Sequence, residues 1–256
     1  MPLDVLLRAE DVSRRFGGLV AVDHVSLTLA RDEVHAVIGT NGAGKSTLID
    51  VLAGELAASG GRVELHGRDI TGWAQPRRAR AGVGRSYQRT TIFAHATVLE
   101  NCRLAAQARA QRPLALWAAA DACGESRRLA ECAIAQAGLG EHALRTAGTL
   151  AHGQKRQLEI AMCLATEPSV LLLDEPLAGM GPEETERMLQ LLAALRPRHA
   201  ILLVEHDMDA VFRIADRVTV MVNGAVIASG DPGAIRANTE VQAAYLGRDA
   251  DAAPAG

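Results

Sequence analysis

Two hydrophobic periods alternate along the chain, and their order predicts a mixed fold. Val25, Leu27 and Leu29 alternate with Ser26 and Thr28, the signature of a half-buried strand. Residues 34–38 form a mostly apolar run that stops at Gly39, as in a strand buried on both faces and feeding a loop. From Lys45 the period lengthens, and Leu48, Val51 and Leu52 share one helical face. Gly60-Gly61 and Gly67 bracket a short strand at 62–66 in a hairpin region. Residues from about 92 to 150 are rich in Ala, Leu, Arg and Gln and poor in β-branched side chains, which favours a helical insertion ending at Gly148-Thr149. The buried-strand pattern returns at 170–173 and 200–204. Leu158, Ala161, Met162 and Ala165 make a helical stripe within 155–165. Gly181-Pro182-Glu183-Glu184 opens another helix, with proline early and acids where the helix dipole favours them. Residues 218–222, Asn223-Gly224 and 225–228 predict a hairpin with a tight turn. The small, polar tail from Asp249 is expected to fray.

Composition narrows the class. With 256 residues, 48% hydrophobic and 22% charged, the chain can build one globular core and a small appended subdomain. A net charge of −3 and a pI near 6.2 argue against a general nucleic-acid binder, and Arg77, Arg78 and Arg80 read as a solvated face. Cys102, Cys123, Cys132 and Cys163 show neither a CxxC pair nor zinc spacing, so they read as reduced thiols in a reducing compartment. The start MPLDVLLRAEDVSRR lacks the basic and apolar stretches of a secretory signal, and no run approaches the ~18 apolar residues that cross a bilayer. These features predict a cytoplasmic protein whose link to a membrane goes through a partner.

The chemistry is concentrated in GTNGAGKS at 39–46, which fits the G-x-x-x-x-G-K-[ST] phosphate-loop pattern without a mismatch. Gly39, Thr40, Asn41, Gly42, Ala43 and Gly44 form a loop able to bend so that successive amides point at phosphate oxygens. Lys45 supplies a point charge, Ser46 a hydroxyl for Mg²⁺, and Thr47 continues into a helix whose positive end faces the same anion. A strand before the loop and a helix after it are the context this motif requires. No internal repeat is present, so the chain carries one such unit. LLLDEP at 171–176 supplies the acidic half: Asp174 to hold Mg²⁺ and Glu175 to polarise the attacking water. The alternative reading of this pair is two solvated loop acids.

With these motifs in order, the chain resembles the ATP-binding cassette (ABC) ATPases over nearly all its length. The resemblance implies an α/β fold, a P-loop NTPase (RecA-like) core with an N-terminal antiparallel β subdomain and an inserted α-helical subdomain. In one domain over 1–256, about 1–91 and 155–248 would form the core, about 92–154 the helical part and 249–256 a frayed tail. ATP and Mg²⁺ are the implied cofactors. Gln88, in Ser86-Tyr87-Gln88, matches the Q-loop, implying an Mg²⁺ contact and a link to membrane partners. His206, in VEHD, matches the switch histidine that contacts the γ-phosphate. LAHGQ at 150–154 stands where the family carries LSGGQ, the motif that binds nucleotide held by a second subunit's phosphate loop. Ala151 and His152 depart from that pattern, while Gly153 and Gln154 keep it. Gly181 stands where an aspartate is common in the following D-loop. These departures suit pairing with a different cassette. Phe16 is either the aromatic that stacks on adenine or a core side chain.

RRFGGLVAVDHVSL, GVGRSYQ, TIFAHATVLEN, LAHGQKRQLEIA, AGMGPEE and AAYLG together resemble one importer branch, the ATP-binding subunits of branched-chain amino-acid uptake systems. That branch implies two membrane permeases, a second cassette subunit, identical or different, and an indirect link to an external solute-binding protein. It also implies a place on the inner face of the cell membrane and no nucleic acid. Other readings are an importer of urea or short amides, a lipid-export motor, and a non-transport ABC protein.

Overall fold

The computed structural model describes residues 4–87, 91–110 and 119–249. They fall into two compact units, the described residues of 4–74 and 200–249 in one and those of 75–199 in the other.

The first unit begins with two long strands, Val5–Phe16 (β1) and Leu19–Ala30 (β2), paired antiparallel with Leu7 opposite Leu29 and Phe16 opposite Leu19. Val34–Gly39 (β3) is buried at every position, as its apolar run requires. Lys45–Ala53 (α1) follows the glycine loop and buries Leu48, Val51 and Leu52 on one face. Gly60–Leu65 (β4) and Arg68–Asp69 (β5) complete an antiparallel sheet of order β2-β1-β4-β5.

The second unit carries Gln75–Ala81 (α2) and Val83–Arg85 (β6), then Val98–Ala110 (α3) and Ala119–Gln136 (α4), which pack on each other. His152–Leu164 (α5) packs on both of them. It starts three residues before the apolar stripe suggested, because the helix begins inside the glycine-bearing motif. Val170–Asp174 (β7) pairs parallel with β6, Val83 opposite Val170, and Pro182–Leu195 (α6) has Gly181 as its N-cap. Arg78 corrects the expectation of a solvated arginine face, being only 1% exposed. Successive helical residues are about 100° apart, so one turn of α2 points Arg78 inward and leaves Arg77 and Arg80 outside. Burial pushes the thiols of Cys102 and Cys163 up to about 12, whereas Cys132 is exposed.

The chain then returns to the first unit as Ala200–Val204 (β8), Met208–Ile214 (α7), Arg217–Val222 (β9), Ala225–Gly230 (β10), Pro232–Ala237 (α8) and Thr239–Asp249 (α9). Here β3 lies between β8 and β9, parallel to both, with Ala36 opposite Leu203 and Val218. β10 runs antiparallel to β9. Asn223 and Gly224 both take positive φ, 48° and 86°, in the tight turn their sequence predicts. Ala36, Ile38, Val211, Val218, Val220, Ile235 and Val241 form a core that clamps one face of β3. No helix among the described residues is long and apolar enough to cross a membrane. The tail expected to fray lies almost wholly outside the described residues.

Candidate nucleotide site

The phosphate loop leaves the fixed end of β3. Gly44, the N-cap of α1, has φ 95°, and a Cβ there would stand 2.1 Å from the Ala21 carbonyl oxygen. Both the conformation and the close approach restrict this position to glycine. The Ala43 carbonyl accepts from the Gly224 amide at 3.0 Å, and the Gly224 carbonyl accepts from Asp23 N at 2.9 Å. The β9–β10 turn thus ties the loop to β2. Lys45 is buried, and its Nζ donates to the carbonyls of Gly39 at 2.7 Å and Thr40 at 3.1 Å. Asn41 and Gly42 are exposed; Ser46 and Thr47 are half-buried. An ammonium held over the loop by two neutral carbonyls, at the positive end of a helix, fits an anion with several oxygens such as a triphosphate.

Two other sequence-selected residues belong to the same unit. Phe16 ends β1 with 42% of its surface exposed and the Arg14 guanidinium 4.5 Å from its ring centroid. This overturns the core alternative, because the last pair of the β1–β2 ribbon projects past the packed interior. His206 follows β8 with an exposed side chain on a firmly held backbone. Its amide donates to Glu205 Oε2 at 3.2 Å, and Glu205 N donates to the Val37 carbonyl at 3.3 Å. Asp207 caps α7 by accepting from Ala210 N at 3.1 Å. The fully buried Glu205 went unnoticed in the sequence, although an acid directly after an apolar strand was a visible signal.

In the second unit, Asp174 closes β7 and is 2% exposed, with its amide donating to Ser86 Oγ at 3.3 Å. That burial rules out a solvated loop position for Asp174, while Glu175 is half-buried. Glu175 takes φ 49°, a left-handed conformation costly for a residue with a side chain and frequent at working sites. Gln88 lies outside the described residues. The 151–154 motif forms the start of α5. Ala151 N donates to Gln154 Oε1 at 3.1 Å, and Gln154 Nε2 meets His142 Nε2 at 2.8 Å. His152 Nε2 lies 3.0 Å from the Ala178 carbonyl. The buried Gly153 amide donates to Glu184 Oε1 at 3.1 Å. The sequence placed Glu184 only in the first turn of its own helix; its bond to another helix start is a tertiary fact.

A phosphate loop between a buried parallel strand and a helix, with acids ending a second such strand, defines a P-loop nucleotide-binding protein of the α/β class. Comparison with known proteins then narrows the class. The family model described as "ABC transporter" matches residues 22–178, and one described as "Branched-chain amino acid ATP-binding cassette transporter" matches 225–251. The chain is 42% identical over 249 residues to the high-affinity branched-chain amino acid transport ATP-binding protein LivG of Salmonella typhimurium, covering 94% of this chain and 98% of that protein. It is also 42% identical over 250 residues to the corresponding protein BraF of Pseudomonas aeruginosa, with the same coverage. A crystal structure of a nucleotide-free ATP-binding cassette from an ABC transporter superposes with a TM-score of 0.85 at 30% identity, covering 94% of this chain and 98% of that one. A cassette in its ADP conformation gives 0.84 at 30%, covering 95% and 99%. The chain belongs to the ABC transporter family, as one of its ATP-binding ATPase cassettes.

Proposed function

We propose that this chain hydrolyses ATP to drive an importer of branched-chain or related amino acids, as a cytoplasmic subunit seated on the inner face of the cell membrane. The carrying observation is the 42% identity across 94% of the chain to the Salmonella and Pseudomonas transport proteins. The separate match at 225–251 points to the same branch. Two permeases, a second cassette and, indirectly, a solute-binding protein complete the machine.

Residue roles follow from the chemistry of each position. Lys45 exchanges its carbonyl partners for phosphate oxygens, and amides of the 39–47 loop complete the grip. Phe16 offers its exposed ring to adenine. Ser46, Asp174 and Gln88 would hold Mg²⁺, which supplies positive charge to the phosphates. Glu175 accepts the proton of the attacking water, and His206 orients the γ-phosphate. Residues 151–154 present the start of α5 to nucleotide on the second cassette. ATP drives closure only by binding the closed pair better than the open one.

The test is ATP-driven leucine uptake in vesicles holding the complex purified through this chain. Glu175→Gln should abolish uptake and slow phosphate release roughly 10²–10⁴-fold while ATP stays bound. Hydrolysis at the wild-type rate would reject Glu175 as the base, and a wild-type complex that carries no leucine would reject the solute.

A further inference from the structure

The start of α5 lacks the side chain that would ordinarily cap it. The first amides of a helix have no intrahelical acceptor, and Ala151, at the N-cap, has no side-chain oxygen to give. The Gly153 amide is satisfied from outside the helix, by Glu184 Oε1 at 3.1 Å. The seat is close: a Cβ at position 153 would stand 2.7 Å from that oxygen. Glu184 sits in the first turn of α6, so its carboxylate lies at the positive ends of two helices at once. A second tether ties α5 to the loop that leads into α6. The Ala178 carbonyl can only accept, so His152 Nε2 carries the hydrogen of their 3.0 Å contact. Alongside lies a cavity of about 330 Å³ whose lining includes Ala151, Gly153, Gln154, Glu184 and Arg187.

We propose that Glu184 is an internal stand-in for phosphate: its carboxylate occupies the Gly153 amide and must leave before that amide can bind triphosphate held by a partner cassette. The inference rests on the reading of 151–154 as the motif that closes on a partner's nucleotide. A carboxylate and a γ-phosphate oxygen are both anionic acceptors, and one N–H at one helix start does not serve both. Like charges brought within hydrogen-bond distance repel, so closure swings Glu184 away. The work of that release is subtracted from the differential affinity by which ATP favours the closed state. The open cassette is therefore held back by its own side chain. Alanine at 151 suits this device, because no hydroxyl competes with Glu184 for the helix start.

The test uses the complex purified through this chain, with Glu175→Gln to stop turnover, and reads the ATP concentration for half-maximal nucleotide retention. Glu184→Gln keeps an oxygen for the Gly153 amide but removes the charge. Its half-maximal ATP concentration should fall roughly two- to fivefold, the range expected for a charge at a helix end, with little change in the nucleotide-free melting temperature. Glu184→Ala removes the cap as well, so both the melting temperature and the ATP requirement should fall. An unchanged or raised ATP requirement in both variants overturns the proposal, including the case in which only the melting temperature drops. Failure of the underlying reading looks different: the Glu175→Gln complex retains no nucleotide at any ATP concentration, whatever residue stands at 184, and the inference falls with it.

Discussion

The starts of α1 and α5 are built on one plan, a helix N-terminus beside a glycine, and are finished in opposite ways. At α1 the completing charge is a cation from the next residue, since Lys45 follows the N-cap Gly44 and folds over its own loop. At α5 it is an anion from 31 residues away, Glu184, seated on Gly153. The first arrangement is locked by backbone: Ala21 O crowds Gly44, and Gly224 holds the Ala43 carbonyl. The second is held by side chains, which can rotate without unfolding anything. The difference suits a loop of fixed shape and, on the proposal above, a motif that exchanges Glu184 for nucleotide.

The comparison breaks most visibly at Gly44. Gly44→Ala should destabilise the protein by roughly 2–5 kcal/mol, the sum of a left-handed backbone cost and an overpacked contact with a carbonyl that cannot move aside. Urea denaturation would measure it, and a loss below about 1 kcal/mol would show that the loop relaxes freely. Lys45→Ala should leave the fold in place and weaken ATP binding roughly 10–100-fold, the loss of a charged hydrogen-bond donor, read by titration calorimetry. Gly153→Ala should be the mildest. The nearest atoms its Cβ would meet belong to the flexible Glu184 side chain, and alanine suits a helix better than glycine, so stability should change by less than about 1 kcal/mol. A Gly153→Ala penalty equal to that of Gly44→Ala would erase the distinction between a locked start and a latched one.

The same contrast explains what the sequence made legible. The phosphate loop, the buried strands and the Asn223-Gly224 turn depend on neighbours a few residues away, so period and motif reveal them. Asp174 stood out in the sequence because it ends an apolar run, and the run and the acid are both buried. Arg78 was misread because three arginines in a short helix look alike until a neighbour covers one face of it. The bonds of Glu184 to Gly153 and of Glu205 to Val37 were not legible because they join segments that only the fold brings together. Phe16 could not be assigned from sequence, since a lone aromatic ends a strand equally well inside or outside a core.

The bond between Gly224 and Ala43 has a topological consequence. The segment matching the branched-chain amino-acid family begins at residue 225, one peptide beyond the glycine that anchors the phosphate loop. That segment opens with β10, whose turn to β9 carries the bond to the loop's backbone. The turn that opens this segment is therefore bonded directly to the backbone of the phosphate loop.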